Sequence, residues 1–268
     1  MATAHIATLL AAGVGVGFAS GLLGVGGAFI MTPIQYMVYI NMGIPADIAI
    51  RLAFGTSLMV ILPTAASGAW RHNREGVVWW KTAIIMGGSG LATAFGGATL
   101  AIHLPGAALK IIFGIVVLAI GVRMLIPKTG RVSDEPESRP WLWAVCGIPV
   151  GFISGLTGLG GGVLAVPILT ELLRFKMHQA IATSVAIVMI TSIGGIIRYI
   201  LGGLGVPGLP EYSIGYVHML SWALLAGTSI GMAQVGARTA HRLPARQLRY
   251  IFIGVTFYMG LRMLGVFD

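Results

Sequence analysis

Ser20-Gly-Leu-Leu-Gly-Val-Gly-Gly27 and Ser154-Gly-Leu-Thr-Gly-Leu-Gly-Gly161 are two copies of one octapeptide, set 134 residues apart in a chain of 268. Each lies within an apolar stretch and is followed by a proline, Pro33 or Pro167. Dense glycine followed by proline interrupts a helix, so residues 5–41 and 141–173 read as broken helical hairpins. The likeness extends outward from the octapeptides. Thr56-Ser57, Thr64, Gly68 and Arg71 align with Thr183-Ser184, Thr191, Gly195 and Arg198 at an offset of 127. Leu104-Pro105 and Arg123-Met-Leu align with Leu243-Pro244 and Arg262-Met-Leu at an offset of 139. The chain is therefore two copies of one unit, residues 1–127 and 141–268, joined by the hydrophilic run 128–140.

Composition decides what surrounds these units. Hydrophobic residues make up 56% of the chain and charged residues 9%, with a mean hydropathy of +0.90, whereas an ordinary soluble domain is about 25% charged. A soluble enzyme and a disordered chain are excluded, and the single cysteine, Cys146, excludes a disulfide scaffold. Six apolar runs are long enough to cross a bilayer at about 20 residues each: Ala46–Trp70, Trp79–Ala101, Ala107–Ile126, Met177–Leu201, Val217–Arg238 and Arg246–Val266. The fold class is an all-α polytopic membrane protein. No basic residue precedes Arg51, so a signal peptide is not expected and the first apolar segment belongs to the mature fold.

The basic excess then reports orientation and not nucleic acid. If loops alternate sides at each long span and each hairpin returns to the side it left, 13 of the 17 Lys and Arg residues fall on one face, which is the cytoplasmic one. The linker 128–140 lies there. Only Arg51, Lys110, Arg198 and Arg262 fall on the other face. Equivalent loops of the two halves come out on opposite sides, so the repeats are inverted, each a broken, re-entrant-like hairpin plus three long spans. That is a recurrent transporter architecture.

Matching Gly/Pro-interrupted segments in both halves point to a binding site. Gly24, Gly26, Gly27 and their counterparts Gly158, Gly160 and Gly161 allow backbone N–H groups to face a ligand. Thr32-Pro33 reads as an N-cap with proline at the first helical position. The short helix that follows, Pro33 to Asn41, would open near the midplane, where free amides and the helix dipole favour an anion. The other reading of these glycines is close helix packing. Thr56 lies about 15 Å into its span, and its hydroxyl, with those of Ser57, Thr183, Ser184, Ser20 and Ser154, could donate to an oxyanion. The alternative is a hydroxyl bonded back to its own helix. None of the eight carboxylates falls centrally in a span, which argues against a carboxylate proton or sodium relay. Arg71 and Arg198 close matching spans; they either snorkel to the interface or recruit anions at the two mouths. The histidines sit at loops and span ends, so neither a metal site nor a cofactor is expected.

With both Ser-Gly-Leu-x-Gly-x-Gly-Gly motifs and Gly55-Thr-Ser57 in view, the sequence resembles the TauE/SafE (TSUP) family of sulfite and organosulfonate exporters over essentially its whole length. The resemblance implies a multi-pass transporter of the cytoplasmic membrane that moves small sulfur-containing or organic anions, commonly outward, by alternating access. One departure is Ala182, where the first half has Gly55. A membrane potential of about 100 mV is worth about 2.3 kcal/mol per exported negative charge, so export needs no nucleotide, and the chain has no P-loop motif. An anion channel with the same site is the principal alternative. An intramembrane enzyme would need a nucleophile within reach of a base, which Ser20 and Ser154 lack. The partners implied are the small anion and the lipid bilayer. Nucleic acid is not among them, and a homo-oligomer is compatible with the sequence.

Overall fold

The computed structural model describes residues 3–23, 27–125, 137–240 and 245–266. Among them the backbone is almost entirely helical, as it must be where no water is available to its N–H and C=O groups. The first half comprises α1 (Thr3–Leu23), α2 (Ala28–Asn41), α3 (Ala46–Arg74), α4 (Trp80–His103) and α5 (Gly106–Leu125). In the second half, α6 (Pro140–Thr157) and α7 (Gly162–Pro167) are followed by a π-helical turn, Ile168–Leu172, and then α8 (Met177–Gly203). A two-stranded hairpin, β1 (Ser213–Ile214) and β2 (Val217–His218), precedes α9 (Met219–Ala240) and α10 (Ala245–Met263). Among the described residues, five helices are long and apolar enough to cross a membrane: α3, α4, α5, α6 and α8. The chain is an all-α polytopic membrane protein.

Two boundaries differ from the sequence reading. Val217 and His218 do not begin a span but pair with Ile214 and Ser213 across the two-residue turn Gly215-Tyr216, where Gly215 takes a left-handed conformation (φ 57°). The short helix of the first half does not open at Pro33 with Thr32 as its cap. It opens at Ala28, capped by Gly27 at φ 64°, and Pro33 sits within it. The resulting 14 residues span about 21 Å, still short of the ~30 Å hydrocarbon core. The matching position Gly161, at φ 77°, caps α7. Gly158 also ends α6 in the left-handed region, at φ 69°, where glycine carries no side-chain penalty.

Small residues set the helix packing. Gly147, Gly151 and Gly155 lie one turn apart on α6, and a Cβ at these positions would stand 2.1, 1.9 and 1.9 Å from the carbonyl oxygens of Met86, Gly90 and Ala94 on α4. Backbone meets backbone along this seam. Ser89 and Thr93 donate across it to the carbonyls of Ala144 and Ile148 at 2.8 and 3.0 Å. The rising register on both helices means that α4 and α6 run parallel. Gly13 and Gly17 of α1 meet Thr228 and Ser229 of α9 in the same sense. At the centre α3 and α8 run antiparallel: Gly55 lies against Tyr199, Leu58 against Gly195, and Gly68 against Val185. The segment before α6 and the end of the π-helical turn meet, since Glu137 N donates to Leu173 O at 3.0 Å. The glycine loop between them is thus carried into the interior and back.

Candidate functional site

The glycine loop of the second half is seated between α3 and α8. Gly158 abuts the backbone of Phe54, and Gly160, at φ 75°, touches Ile61 and Val188. Thr191 of α8 reaches Gly160 O at 3.4 Å, although its shorter bond, 3.2 Å, is to Val188 O on its own helix. Tyr199 OH donates to Gly155 O at 2.9 Å and fixes the end of α6 just before the loop. Ser154 packs against Gly161, and its Oγ is fully buried with no hydrogen-bond partner among the described residues. A serine in a helix ordinarily bonds back to its own backbone, and this one does not. In the first half Gly27 occupies the position of Gly161. Gly24 and Gly26 lie outside the described residues, as does the side chain of Ser20.

Of the six hydroxyls singled out from the sequence, Thr56, Ser57, Thr183 and Ser184 do not converge on one point. Thr56 Oγ1 accepts His218 N at 3.0 Å, and Thr183 Oγ1 accepts Trp79 N at 3.2 Å. Trp79 and His218 are themselves equivalent positions at the offset of 139. Each central helix therefore ties down the start of a helix from the opposite half. Ser184 Oγ bonds to Ile181 O of its own helix at 2.8 Å. Ser57 Oγ, in contrast, is the hub of a side-chain cluster, 2.9 Å from Thr32 Oγ1 and accepting Gln35 Nε2 at 3.2 Å. Tyr39 OH donates to Gln35 Oε1 at 3.2 Å. All of these side chains are fully buried.

Gln35, Tyr39, His218 and Ser221 belong to this polar assembly and were missed in the sequence. The available signal was spacing: Thr32, Gln35 and Tyr39 fall at i, i+3 and i+7, one face of α2. The second half has no such face, because the equivalent positions are Val166, Leu169 and Leu173. The departure at Ala182 has a local cause. A Cβ at Gly55 would meet Tyr216 O at 2.1 Å, where the β-hairpin of the second half folds over α3.

At the helix ends, Arg71 is exposed and lies 4.0 Å from Glu75. Arg198 is half-buried, donates from Nε to Thr99 Oγ1 at 2.8 Å and sits 5.7 Å from the Phe95 ring. Arg123 at the end of α5 pairs with Glu171 in the π-helical turn. Trp70, Trp79, Trp80 and Trp141 are exposed at the ends of α3, α4 and α6 that share one side of the molecule. Tryptophan at that level marks a membrane–water interface.

Residues 9–263 match the family model described as sulfite exporter TauE/SafE. The chain belongs to the TauE/SafE family. It is 31% identical over 259 residues to a probable membrane transporter protein of Methanocaldococcus jannaschii, covering 96% of this chain and 94% of that one. A probable membrane transporter protein of Haemophilus influenzae is 28% identical, covering 87% and 88%. The probable membrane transporter protein YdhB of Bacillus subtilis is 26% identical, covering 93% and 96%. No solved structure matches the chain. These TauE/SafE relatives are named as probable membrane transporters.

Proposed function

We propose that this TauE/SafE protein exports small sulfur-containing or organic anions, such as sulfite or sulfonates, across the cytoplasmic membrane by alternating access of two inverted repeats. The observation that carries the reading is Ser154: a fully buried hydroxyl with no partner among the described residues, held against a loop of left-handed glycines. Leaving a buried hydroxyl unpaired costs about 1–3 kcal/mol, a cost that an oxyanion accepting its proton would remove. The loop's glycines carry no side chains of their own to keep an anion from the backbone, and Phe54, Ile61, Val150 and Val188, which pack on them, are uncharged.

The inverted arrangement is supported by direction. Equivalent helices α3 and α8 cross antiparallel, and α5 and α10 do so too, with Gly114 against Leu264 and Gly121 against Phe257. Packing partners are exchanged between halves, α4 on α6 and α1 on α9. Arg71, Arg74, Lys81, Arg123, Arg139, Arg174 and Lys176 lie at the tryptophan-bearing end, which we assign to the cytoplasm.

The test is flux of labelled sulfite, methanesulfonate and acetate in proteoliposomes, with counterflow. Ser154→Ala should raise the apparent KM severalfold without lowering thermal stability, because it removes an unpaired buried hydroxyl and breaks no hydrogen bond among the described residues. Unchanged KM for every transported anion would remove Ser154 from the site, and single-channel currents in place of counterflow would identify a channel.

A further inference from the structure

His218 is the one histidine among the described residues that is fully buried, and it lies where the two halves meet. It is 2% exposed and stands immediately before α9. Its contacts define its protonation state. Ser221 N donates to Nδ1 at 3.2 Å, so Nδ1 must carry a lone pair. Ser221 Oγ lies 2.7 Å from the same nitrogen and donates to it as well. The ring proton is then on Nε2, which donates to Glu211 O at 3.1 Å. A side chain accepting the N–H three residues on is an N-cap, and here the cap is a neutral imidazole. The equivalent residue at the start of α4, Trp79, makes no side-chain cap.

Rotating the ring does not relieve the conflict that protonation creates. An added proton on Nδ1 turns the acceptor into a donor, so Ser221 N–H loses its partner and Ser221 Oγ must reverse from donor to acceptor. The imidazolium charge also falls at a helix N-terminus, where the dipole disfavours it. Other groups around the ring do not compensate. Tyr39 from α2 meets it edge-on at 5.9 Å, and Thr56 from α3 is engaged by the His218 backbone. Arg51, also from α3, lies over the Tyr216 ring at 5.9 Å and adds positive charge nearby. From α8, Tyr199 accepts Tyr216 N through its carbonyl. Glu211 and Tyr212 in the preceding loop are exposed, and Glu211 meets the ring through its carbonyl and not its carboxylate. Among the described residues no carboxylate ion-pairs with His218.

We propose that His218 is a proton-binding site that sets the conformational balance of the transporter. The proton comes from water on the side of the Glu211–Tyr212 loop and adds to the Nδ1 lone pair. The Nε2–H bond to Glu211 persists, and the start of α9 is released. Because the His218 backbone holds Thr56, the proton and the central helix are linked, and any state with a freed α9 terminus binds the proton more tightly. The proposal rests on the transport reading only for its consequence for flux, not for the proton site itself.

Two measurements separate these. In nanodiscs, hydrogen exchange of residues 219–223, corrected for the intrinsic rate, should show protection falling about fivefold from pH 8 to pH 5, the value of one lost cap. The ring nitrogens of His218 in ¹⁵N spectra should move from the Nε2–H tautomer to imidazolium over the same range. His218→Asn, which caps without titrating, should keep protection constant, and His218→Ser is a second capping variant should asparagine not fold. Constant protection in the wild type, or the same fall in both variants, overturns the proton site. Flux of methanesulfonate, which stays ionised throughout, should depend on pH in the wild type and lose that dependence in His218→Asn. Wild-type pH dependence in the variant overturns the linkage to transport, while absence of flux in both proteins counts against the transport reading and leaves exchange to decide the proton site.

Discussion

Ser57 and Ser154 are both fully buried serines near the centre of the molecule, yet one is saturated with partners and the other has none among the described residues. Physical chemistry gives them opposite signatures on substitution. Replacing Gln35 by leucine removes a donor to Ser57 and an acceptor for Tyr39 OH, two buried hydrogen bonds, and should cost about 1–3 kcal/mol of stability, read as a lowered Tm in detergent. Ser154→Ala, in contrast, should hold or raise Tm, since it removes an unpaired buried hydroxyl, and act on substrate affinity. Thr56→Val and Thr183→Val each strip the acceptor from a backbone N–H contributed by the other half, so both should lower Tm as well as transport. Loss of affinity without loss of stability in either threonine variant would show that its hydroxyl serves the anion more than the fold.

The α6 helix has two jobs that glycine makes compatible. Along its length Gly147, Gly151 and Gly155 let the α4 backbone approach, and at its end Gly158 turns the chain into the loop. These roles separate under mutation. Gly151→Val would drive a side chain into Gly90 O and part the α4–α6 seam, so poor insertion and loss of folded protein in size-exclusion profiles are expected. Gly160→Val meets only the side chains of Ile61 and Val188, at 3.0 and 3.2 Å. Its cost is a left-handed β-branched residue, about 1–2 kcal/mol, so the protein should still insert while transport is abolished. Normal transport by Gly160→Val would return this loop to a purely structural role.

Across the whole molecule, sidedness and driving force are the testable properties. The inverted reading puts Ser138 inside and Tyr212 outside. Both are exposed, so cysteines placed there in a Cys146→Ser background should label from opposite faces of the cell membrane. Labelling from the same face would sink the inverted arrangement. Spans without central carboxylates leave the anion's own charge to do the thermodynamic work. With equal pH on both sides and the potential clamped by potassium and valinomycin, methanesulfonate flux should follow voltage, up to nearly fiftyfold accumulation per charge at about 100 mV. Voltage-independent flux would mean that another ion compensates the charge.

Hydropathy and the duplicated octapeptide were enough to read a membrane-spanning chain and its family, because bilayer thickness fixes span length and glycine has few substitutes where φ is positive; the offsets of 134, 127 and 139 carry the expectation of two repeated halves. The equivalence of Trp79 and His218 was already implied by those offsets. What linear pattern could not reveal was which partners the polar residues would take. Thr32 looked like a helix cap from its neighbour Pro33, but contact with Ser57, 25 residues away, decided its role. Val217 and His218 looked like the start of a span, but a turn at left-handed Gly215 pairs them with Ile214 and Ser213 as a strand. A hydrogen bond is satisfied in three dimensions by whatever lies nearest, and for Thr56 and Thr183 that neighbour is a backbone amide from the other half of the chain. Tertiary structure alone decided that these hydroxyls bind the halves together, and that Ser154 is left with a hydroxyl to offer.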